Sequence, residues 1–350
     1  MKNGNLKLAI SVLIVIAASC NEPETIVTDI VHTDGSVTRK IEMRSPEKKF
    51  KIHDVQVPYD STWSIRDSLE IGEKGDTLWV RRAEKVFADA DEINMGYKAD
   101  SSADKAAVRR VTFSKKFRWF HTGYRFAENI ESSLTFGYPL SDFLNAEELA
   151  WFYSPESIIT MEKNGPDSLK YKALSDTISK KTDKWFFESL ASEWTGDFAG
   201  LVKGKAGKDL SLESLKAHQN DFVKMVEEAG SKFDSLWTNG TILKRLIGES
   251  NASKYKTEAD TALSVVMKKA TISFADYTMR IIMPGRVTGT NGFIDSARVL
   301  FWPVKSDYFL TDPYSMWVES KVPNTWAWVV SGLFLLFVFT GIIIRRNRKG

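Results

Sequence analysis

Cysteine and histidine are scarce in this chain of 350 residues, which contains one cysteine and four histidines. The single cysteine, Cys20, cannot form an internal disulfide, so the fold depends on packing. No two histidines have the spacing of metal ligands on one element, which excludes the common zinc motifs. A Gly-x-Ser-x-Gly elbow and a Walker-type phosphate loop are also missing. We therefore predict no metal, no cofactor and no identifiable catalytic residue.

The sequence also lacks a large excess of charge of either sign. Its formal net charge is +3, but six of its 48 basic residues lie in the two terminal segments. Between Cys20 and Ile344 the 45 acidic residues outnumber the basic ones. A mildly acidic, mixed surface has no basic footprint for nucleic acid, so we expect no nucleic-acid partner. Apolar residues make up 43% of the chain, which is enough to form a folded core.

The N-terminus has the three parts of a secretory signal. Lys2 and Lys7 are basic, residues 8–16 are apolar, and Ala17-Ala18-Ser19 precede Cys20. This arrangement resembles the lipobox of bacterial lipoproteins, although Ala17 stands where leucine is commoner. We predict a signal peptide over residues 1–19 and lipid modification of Cys20 by diacylglyceryl and palmitate groups. The alternative is an ordinary cleaved signal that happens to end near a cysteine.

The C-terminus predicts a transmembrane helix. Residues 326–344 carry no charge, and 19 helical residues span roughly 28 Å, about the thickness of the hydrocarbon core. Trp326 and Trp328 are suited to one membrane interface, and Arg345 and Arg346 begin a basic tail over residues 345–350 that is expected to stay in the cytosol. Together, the two ends predict a single-pass protein of a bacterial inner membrane. Its body faces the periplasm, and it is also lipid-anchored at Cys20.

The exported body reads as strands, then helices, then strands. Residues 20–140 are strand-rich, with a hairpin at Asp34-Gly35 and either a strand pair or one long bent strand over residues 111–126. Residues 141–270 have helical spacing, with Asn145 as an N-cap. Residues 271–323 are strand-rich again. We predict an α+β fold in which one antiparallel sheet takes strands from both ends and carries a helical insertion. Two domains in series are the alternative.

Two stretches resemble membrane lipoproteins of the Bacteroidetes type and, loosely, the LppM-like lipoprotein domain. One is residues 31–41, and the other comprises Met283-Pro-Gly-Arg-Val, Asn291-Gly292, residues 299–302 and residues 317–324. They cover about a fifth of the chain. The resemblance implies a strand-rich extracytoplasmic domain next to a membrane, and it supplies no catalytic residues.

Eight Asp-Ser or Asp-Thr pairs precede a small or aliphatic residue. This pattern is similar to the O-glycosylation site of some exported Bacteroidetes proteins, and it predicts a glycoprotein with Ser61, Ser68 and Thr77 as the first candidates. The same pairs also collect at turns and helix starts for conformational reasons.

Function is less determined than topology. The leading hypothesis is a membrane-tethered, non-enzymatic envelope lipoprotein that binds a lipid, glycan or protein partner in the periplasm. The alternatives are a membrane-anchored hydrolase of cell-wall or glycan material and an accessory subunit of a larger membrane complex. Two close, buried carboxylates in a pocket would favour the hydrolase. An apolar groove would favour lipid binding, and an exposed aromatic patch would favour a partner surface.

Overall fold

The two terminal regions form strands, as their alternating apolar residues predict. The computed structural model describes residues 24–48, 50, 57–72, 75, 77–99, 108–270 and 276–348. Within these ranges the strands are β1 Glu24–Val31, β2 Val37–Ser45, β3 Ser64–Ile71, β4 Thr77–Phe87, β5 Arg109–Phe117, β6 His121–Ile130, β7 Tyr277–Ile282, β8 Arg286–Thr290, β9 Phe293–Ile294, β10 Leu300–Val304 and β11 Tyr314–Pro323. The predicted signal peptide and Cys20 lie outside the described residues.

The strands form two sheets, and both ends of the chain contribute to each. One sheet has the order β3-β4-β2-β1-β7-β10-β9, and the other has the order β5-β6-β11-β8. All pairs are antiparallel except β1 with β7, which is parallel. The prediction that the two ends share a sheet is therefore confirmed, but the prediction of one antiparallel sheet is wrong. Two sheets form because each sheet has one apolar face, and packing these two faces against each other buries both.

The inner faces of the sheets form one hydrophobic cluster. The first sheet contributes Val27, Ile41 and Met279, and the second contributes Phe126 and Val318, all almost fully buried. The predicted Asp-Gly hairpin joins β1 to β2, and Gly35 has a φ of 103°, which favours glycine. The inner-face side chains of both sheets therefore share one buried core.

The middle of the chain is helical, as predicted. Its helices, with one earlier helix and the C-terminal one, are α1 Ala90–Ala99, α2 Ala146–Phe152, α3 Glu156–Lys163, α4 Ser168–Val202, α5 Leu212–Ala217, α6 Gln219–Ala229, α7 Phe233–Thr238, α8 Thr241–Ile247, α9 Glu249–Lys254, α10 Lys256–Ala270 and α11 Thr325–Asn347. Short 3-10 turns occupy Leu140–Asp142, Lys208–Leu210, Gly230–Lys232 and Ser306–Phe309. Asn145 caps α2 through a capping box with Glu148, which confirms the predicted N-cap.

A buried carboxylate attaches the helical region to the sandwich. Glu193, in the C-terminal half of α4, is fully buried. Its Oε2 accepts hydrogen bonds from the backbone N–H groups of Thr135 at 2.8 Å and Phe136 at 2.6 Å, just after β6, and its Oε1 accepts one from Lys269 of α10. The ring of Phe136 packs on Gly196, where no side chain stands between ring and helix. The chain leaving the sandwich is thereby fixed to α4.

Candidate membrane-interface site

The tip of the β5–β6 hairpin lies beside the start of α11. We call residues 117–120 the hairpin tip; the Arg118 N–H donates to the His121 carbonyl across it at 2.9 Å. Strand β11 pairs with β6 along its whole length, and its last residue, Pro323, is opposite His121. Because the paired strands end together, α11 begins at the same level as the tip.

Asn324 joins the tip to the helix. Its side-chain amide donates to the carbonyls of Arg118 at 2.7 Å and Trp119 at 3.2 Å, and its Oδ1 accepts from the Thr122 hydroxyl at 3.0 Å. Its backbone N–H donates to the Phe120 carbonyl at 3.0 Å. Asn324 therefore uses both donors of its amide and its acceptor oxygen to hold a single turn. The joint between sheet and helix is a hydrogen-bonded corner.

Five aromatic side chains surround this corner. Trp119 meets Trp326 edge to face, with ring centroids 5.2 Å apart, and the Trp119 Nε1–H donates to the Ser331 hydroxyl at 2.9 Å. Phe117 stacks on Trp326 at 6.4 Å, and Phe120 packs on Trp328 at 4.3 Å. We call these five rings the aromatic collar: Phe117, Trp119, Phe120, Trp326 and Trp328. The collar rings remain 41% to 59% exposed.

The collar stands at one end of a helix with the composition of a membrane span. Helix α11 has 23 residues, a mean hydropathy of 2.5 over its most apolar stretch and only 6% of that stretch buried. Its length is about 34 Å at 1.5 Å per residue. Trp326 and Trp328 lie at its start, and Arg345 and Arg346 lie in its last turn, so the predicted anchor residues occupy opposite ends. Tryptophan collects at the interface between lipid and water, and lysine and arginine mark the cytoplasmic end of a span.

A second cluster of chemically interesting groups lies between the two sheets. Arg39 donates through Nε and Nη2 to the two carboxylate oxygens of Asp29, each at 2.7 Å, and also through Nη2 to Glu128 at 2.9 Å. Glu128 further accepts from the Tyr97 hydroxyl at 2.9 Å and from Arg109 at 3.3 Å, and Arg109 donates to Tyr277 at 2.6 Å. Burial raises the pKa of Asp29, while the nearby Arg39 opposes that shift.

This buried network closes on itself. Two carboxylates face two guanidinium groups, and both Asp29 oxygens are occupied by one arginine. Burial also raises the pKa of Tyr97, so its hydroxyl stays protonated at neutral pH. The arrangement therefore links the sheets as a structural ion cluster. The sequence holds a signal for it that the prediction did not use: Asp29 alternates with Val27 and Val31 on the inward face of β1, and Arg39 lies between Val37 and Ile41 of β2.

The predicted modification sites lie along one edge of the seven-stranded sheet, in or beside β3 and β4. Ser61 is exposed in the turn before β3, and Thr77 is exposed at the first residue of β4. Ser68 lies within β3, where its hydroxyl donates to Glu70 at 2.9 Å and accepts from Arg82 at 3.3 Å. Ser61 and Thr77 are therefore better placed to accept a glycan than Ser68.

A shallow cavity of about 350 Å³ opens on the helical region. Its lining mixes both charges and apolar groups: His218, Asp221, Lys224, Met225, Glu228, Arg245 and Leu246. His218 Nδ1 is 3.8 Å from the Asp221 carboxylate, and no group of three metal-ligating side chains occurs within the described residues. The lining does not favour one ligand chemistry.

Comparisons with known proteins identify no relative of this chain. No protein-family model matches the sequence, and no curated protein or solved structure is similar to it. The resemblance to the LppM-like lipoprotein domain therefore stays a prediction.

Proposed function

We propose that this chain is a non-enzymatic, single-pass envelope module that binds membrane lipid through the aromatic collar. Its body is held in a fixed orientation above the bilayer. The observation that carries the proposal is the Asn324 corner, where three hydrogen bonds to the hairpin tip and one from Thr122 of β6 fix the β5–β6 hairpin to the start of α11. A flexible tether for a freely diffusing domain does not need such a joint.

The position of the collar supports lipid as its partner. Two of the five rings belong to the first residues of an apolar helix, and the other three are packed on them. If α11 crosses a bilayer, the hairpin tip then lies at the level of the headgroups, where aromatic side chains are stabilised. The membrane that holds the helix then covers the exposed surface of the rings.

The buried ion cluster favours a binding module over the anchored hydrolase. Acid–base work on a glycan needs two carboxylates facing a substrate. The carboxylates that the sandwich brings together, Asp29 and Glu128, are instead covered by Arg39 and Arg109 and are fully buried. The localisation follows the sequence: we propose an inner-membrane protein with a periplasmic body, exported by the signal peptide and lipid-anchored at Cys20.

Paramagnetic broadening tests the position of the collar. Full-length protein labelled with 5-fluorotryptophan is placed in nanodiscs that contain a lipid with a gadolinium headgroup, and resonances are assigned by Trp→Phe substitution. We expect Trp119, Trp326 and Trp328 to broaden strongly. Trp194 and Trp302, each 1% exposed in the protein cores, serve as internal controls. A Trp119 signal that stays as sharp as the controls while Trp328 broadens would show that the tip stands clear of the membrane.

Intact mass of the detergent-extracted protein tests the second anchor. Residues 20–350 with added diacylglyceryl and acyl groups are expected, and Cys20→Ser is the matched control. An unmodified mass that begins at another residue would contradict lipidation and would leave α11 as the anchor.

A further inference from the structure

The outer face of the four-stranded sheet carries a row of cations just above the collar. Lys116 of β5, Gly123 of β6, Lys321 of β11 and Arg286 of β8 are directly opposite one another across the four strands. Directly paired residues point to the same face of a sheet, so the three basic side chains share one face. All three are exposed.

These cations have no carboxylate partners among the described residues. The next row of the same face, Arg125 and Glu319, forms its own ion pair at 2.6 Å. By contrast, Lys321 stands directly opposite Arg286, and no ion pair joins either of them or Lys116 to an acidic side chain within the described ranges. Like charges directly opposite each other destabilise a sheet. An anion bound between them removes this penalty.

Glycine shapes the space between the cations. Gly123 lies between Lys116 and Lys321 in the row, and a Cβ atom there would stand 3.8 Å from the Lys116 carbonyl oxygen and 4.0 Å from the Ser320 carbonyl oxygen. Strands are about 4.8 Å apart, so the two lysine backbones are separated by roughly 10 Å with only backbone between them. No side chain therefore stands between Lys116 and Lys321 in this row, and Arg286 lies on the strand beyond Lys321.

The row lies within side-chain reach of the lipid headgroups. Lys321 precedes Asn324 by three residues, so at about 3.3 Å per residue the row lies at most roughly 10 Å above the start of α11. The headgroup region of one leaflet is about 5–8 Å thick. Lysine and arginine extend their charged groups toward it from their backbone positions.

We propose that Lys116, Lys321 and Arg286 form a binding site for the phosphate group of an anionic phospholipid in the membrane that holds α11. The site deepens the proposed function, on which it rests, by naming the lipid class. Each cation near an anionic surface contributes about 1 kcal/mol, which is roughly fivefold in affinity. The collar fixes the depth of the body, and the cation row selects the headgroup.

Native mass spectrometry of the full-length protein tests the lipid preference. Protein is released from mixed micelles that contain equal amounts of phosphatidylglycerol and phosphatidylcholine of the same chain length. We expect retained phosphatidylglycerol to exceed phosphatidylcholine by at least tenfold. The triple variant Lys116→Gln, Lys321→Gln, Arg286→Gln should abolish the preference, and Lys321→Gln alone should reduce it roughly fivefold.

A matched control removes three cations elsewhere. Lys203, Lys208 and Lys216 are exposed in the helical region, and no ion pair is found for them within the described residues. Their triple Gln variant should keep the full preference. Equal losses in both triple variants would show a general charge effect and would overturn the site. Binding of inorganic phosphate without preference for either lipid would identify a free-anion site and would also overturn it.

The two proposals fail in different ways. Lost headgroup preference with normal broadening of Trp119 by gadolinium lipid would refute only the cation site. Absence of broadening at Trp119 would refute the collar, whatever lipid is retained. Near-UV circular dichroism of each variant checks that the exposed substitutions leave the fold intact.

Discussion

Replacement of Arg39 by methionine is the sharpest test of the buried ion cluster. Methionine keeps the length and apolar body of the side chain but removes its charge and all its hydrogen-bond donors. Asp29, which is fully buried, then loses both of its hydrogen bonds to Arg39. Glu128 loses one bond and keeps those from Tyr97 and Arg109.

The expected loss is large because one buried charge is left alone. Removal of one partner from a buried ion pair typically costs about 3–5 kcal/mol. Since Asp29 keeps no charged partner and Glu128 keeps one, we expect about 4 kcal/mol for Arg39→Met. Domains are stable by about 5–15 kcal/mol in total, so the variant is expected to be close to unfolding at moderate temperature.

Arg82→Met is the matched control. Arg82 also binds two carboxylates, Glu42 at 2.7 Å and Glu70 at 2.6 Å, but on the outer face of the same sheet with 46% of its side chain exposed. A solvent-exposed ion pair contributes at most about 1 kcal/mol, so the control, which removes two such pairs, should lose no more than about 2 kcal/mol. Urea unfolding of full-length protein in micelles, followed by near-UV circular dichroism, measures both variants.

Two further measurements separate charge from packing. In an Asp29→Asn background, Arg39→Met should cost about 2 kcal/mol less, because no charge is left unpaired. The loss in Arg39→Met alone should shrink as the pH falls toward the ordinary Asp pKa near 3.8, since burial without Arg39 raises the pKa of Asp29 and folding then takes up a proton. Equal losses for Arg39→Met and Arg82→Met, or a pH-independent loss, would refute the reasoning.

Three other substitutions test the helical region. Glu193→Ala leaves two backbone N–H groups without their acceptor and should cost about 3 kcal/mol in urea unfolding, with faster hydrogen exchange at Phe136. Gly196→Val places a Cβ only 2.3 Å from the ring of Phe136, and the resulting overpacking should lower the free energy of unfolding by about 1–3 kcal/mol. Glu148→Gln removes the ion pair with Lys181. In the wild type, the hydrogen bond from Lys181 lowers the pKa of Glu148, and the stability from that shift is present above the ordinary Glu pKa near 4.5 and is lost as the pH falls below it. The stabilities of wild type and variant should therefore converge at low pH.

A different result would contradict each of these three predictions. Unchanged exchange at Phe136 in Glu193→Ala would show that the carboxylate does not hold the segment after β6. An unaltered unfolding midpoint in Gly196→Val would show that the ring of Phe136 moves away freely. A stability difference for Glu148→Gln that stays constant from pH 7 to pH 3 would show that the Lys181 pair does not govern the capping box.

Local signals in the sequence account for much of the secondary structure. The Asp34-Gly35 hairpin, the Asn145 cap and the helical middle follow from turn chemistry, capping and spacing, which act within a few residues. Strand β3 was not predicted, because it is an exposed edge strand whose charged residues interrupt the alternation of apolar and polar side chains. Helix α1 was not predicted either, although Asp89 and Glu92 cap its start, where each side chain accepts a hydrogen bond from a backbone N–H group.

The sequence by itself determined the apolar helix, with its tryptophans at one end and arginines at the other, because uninterrupted apolarity over 19 residues needs no tertiary context. It could not determine the second sheet, the ion cluster or the aromatic collar. Residues of each of these are more than one hundred positions apart in the chain, as Tyr277 is from Arg109 and Asn324 is from Trp119. Only strand pairing brings them together, since the register of β6 with β11 decides which turn meets the start of the helix.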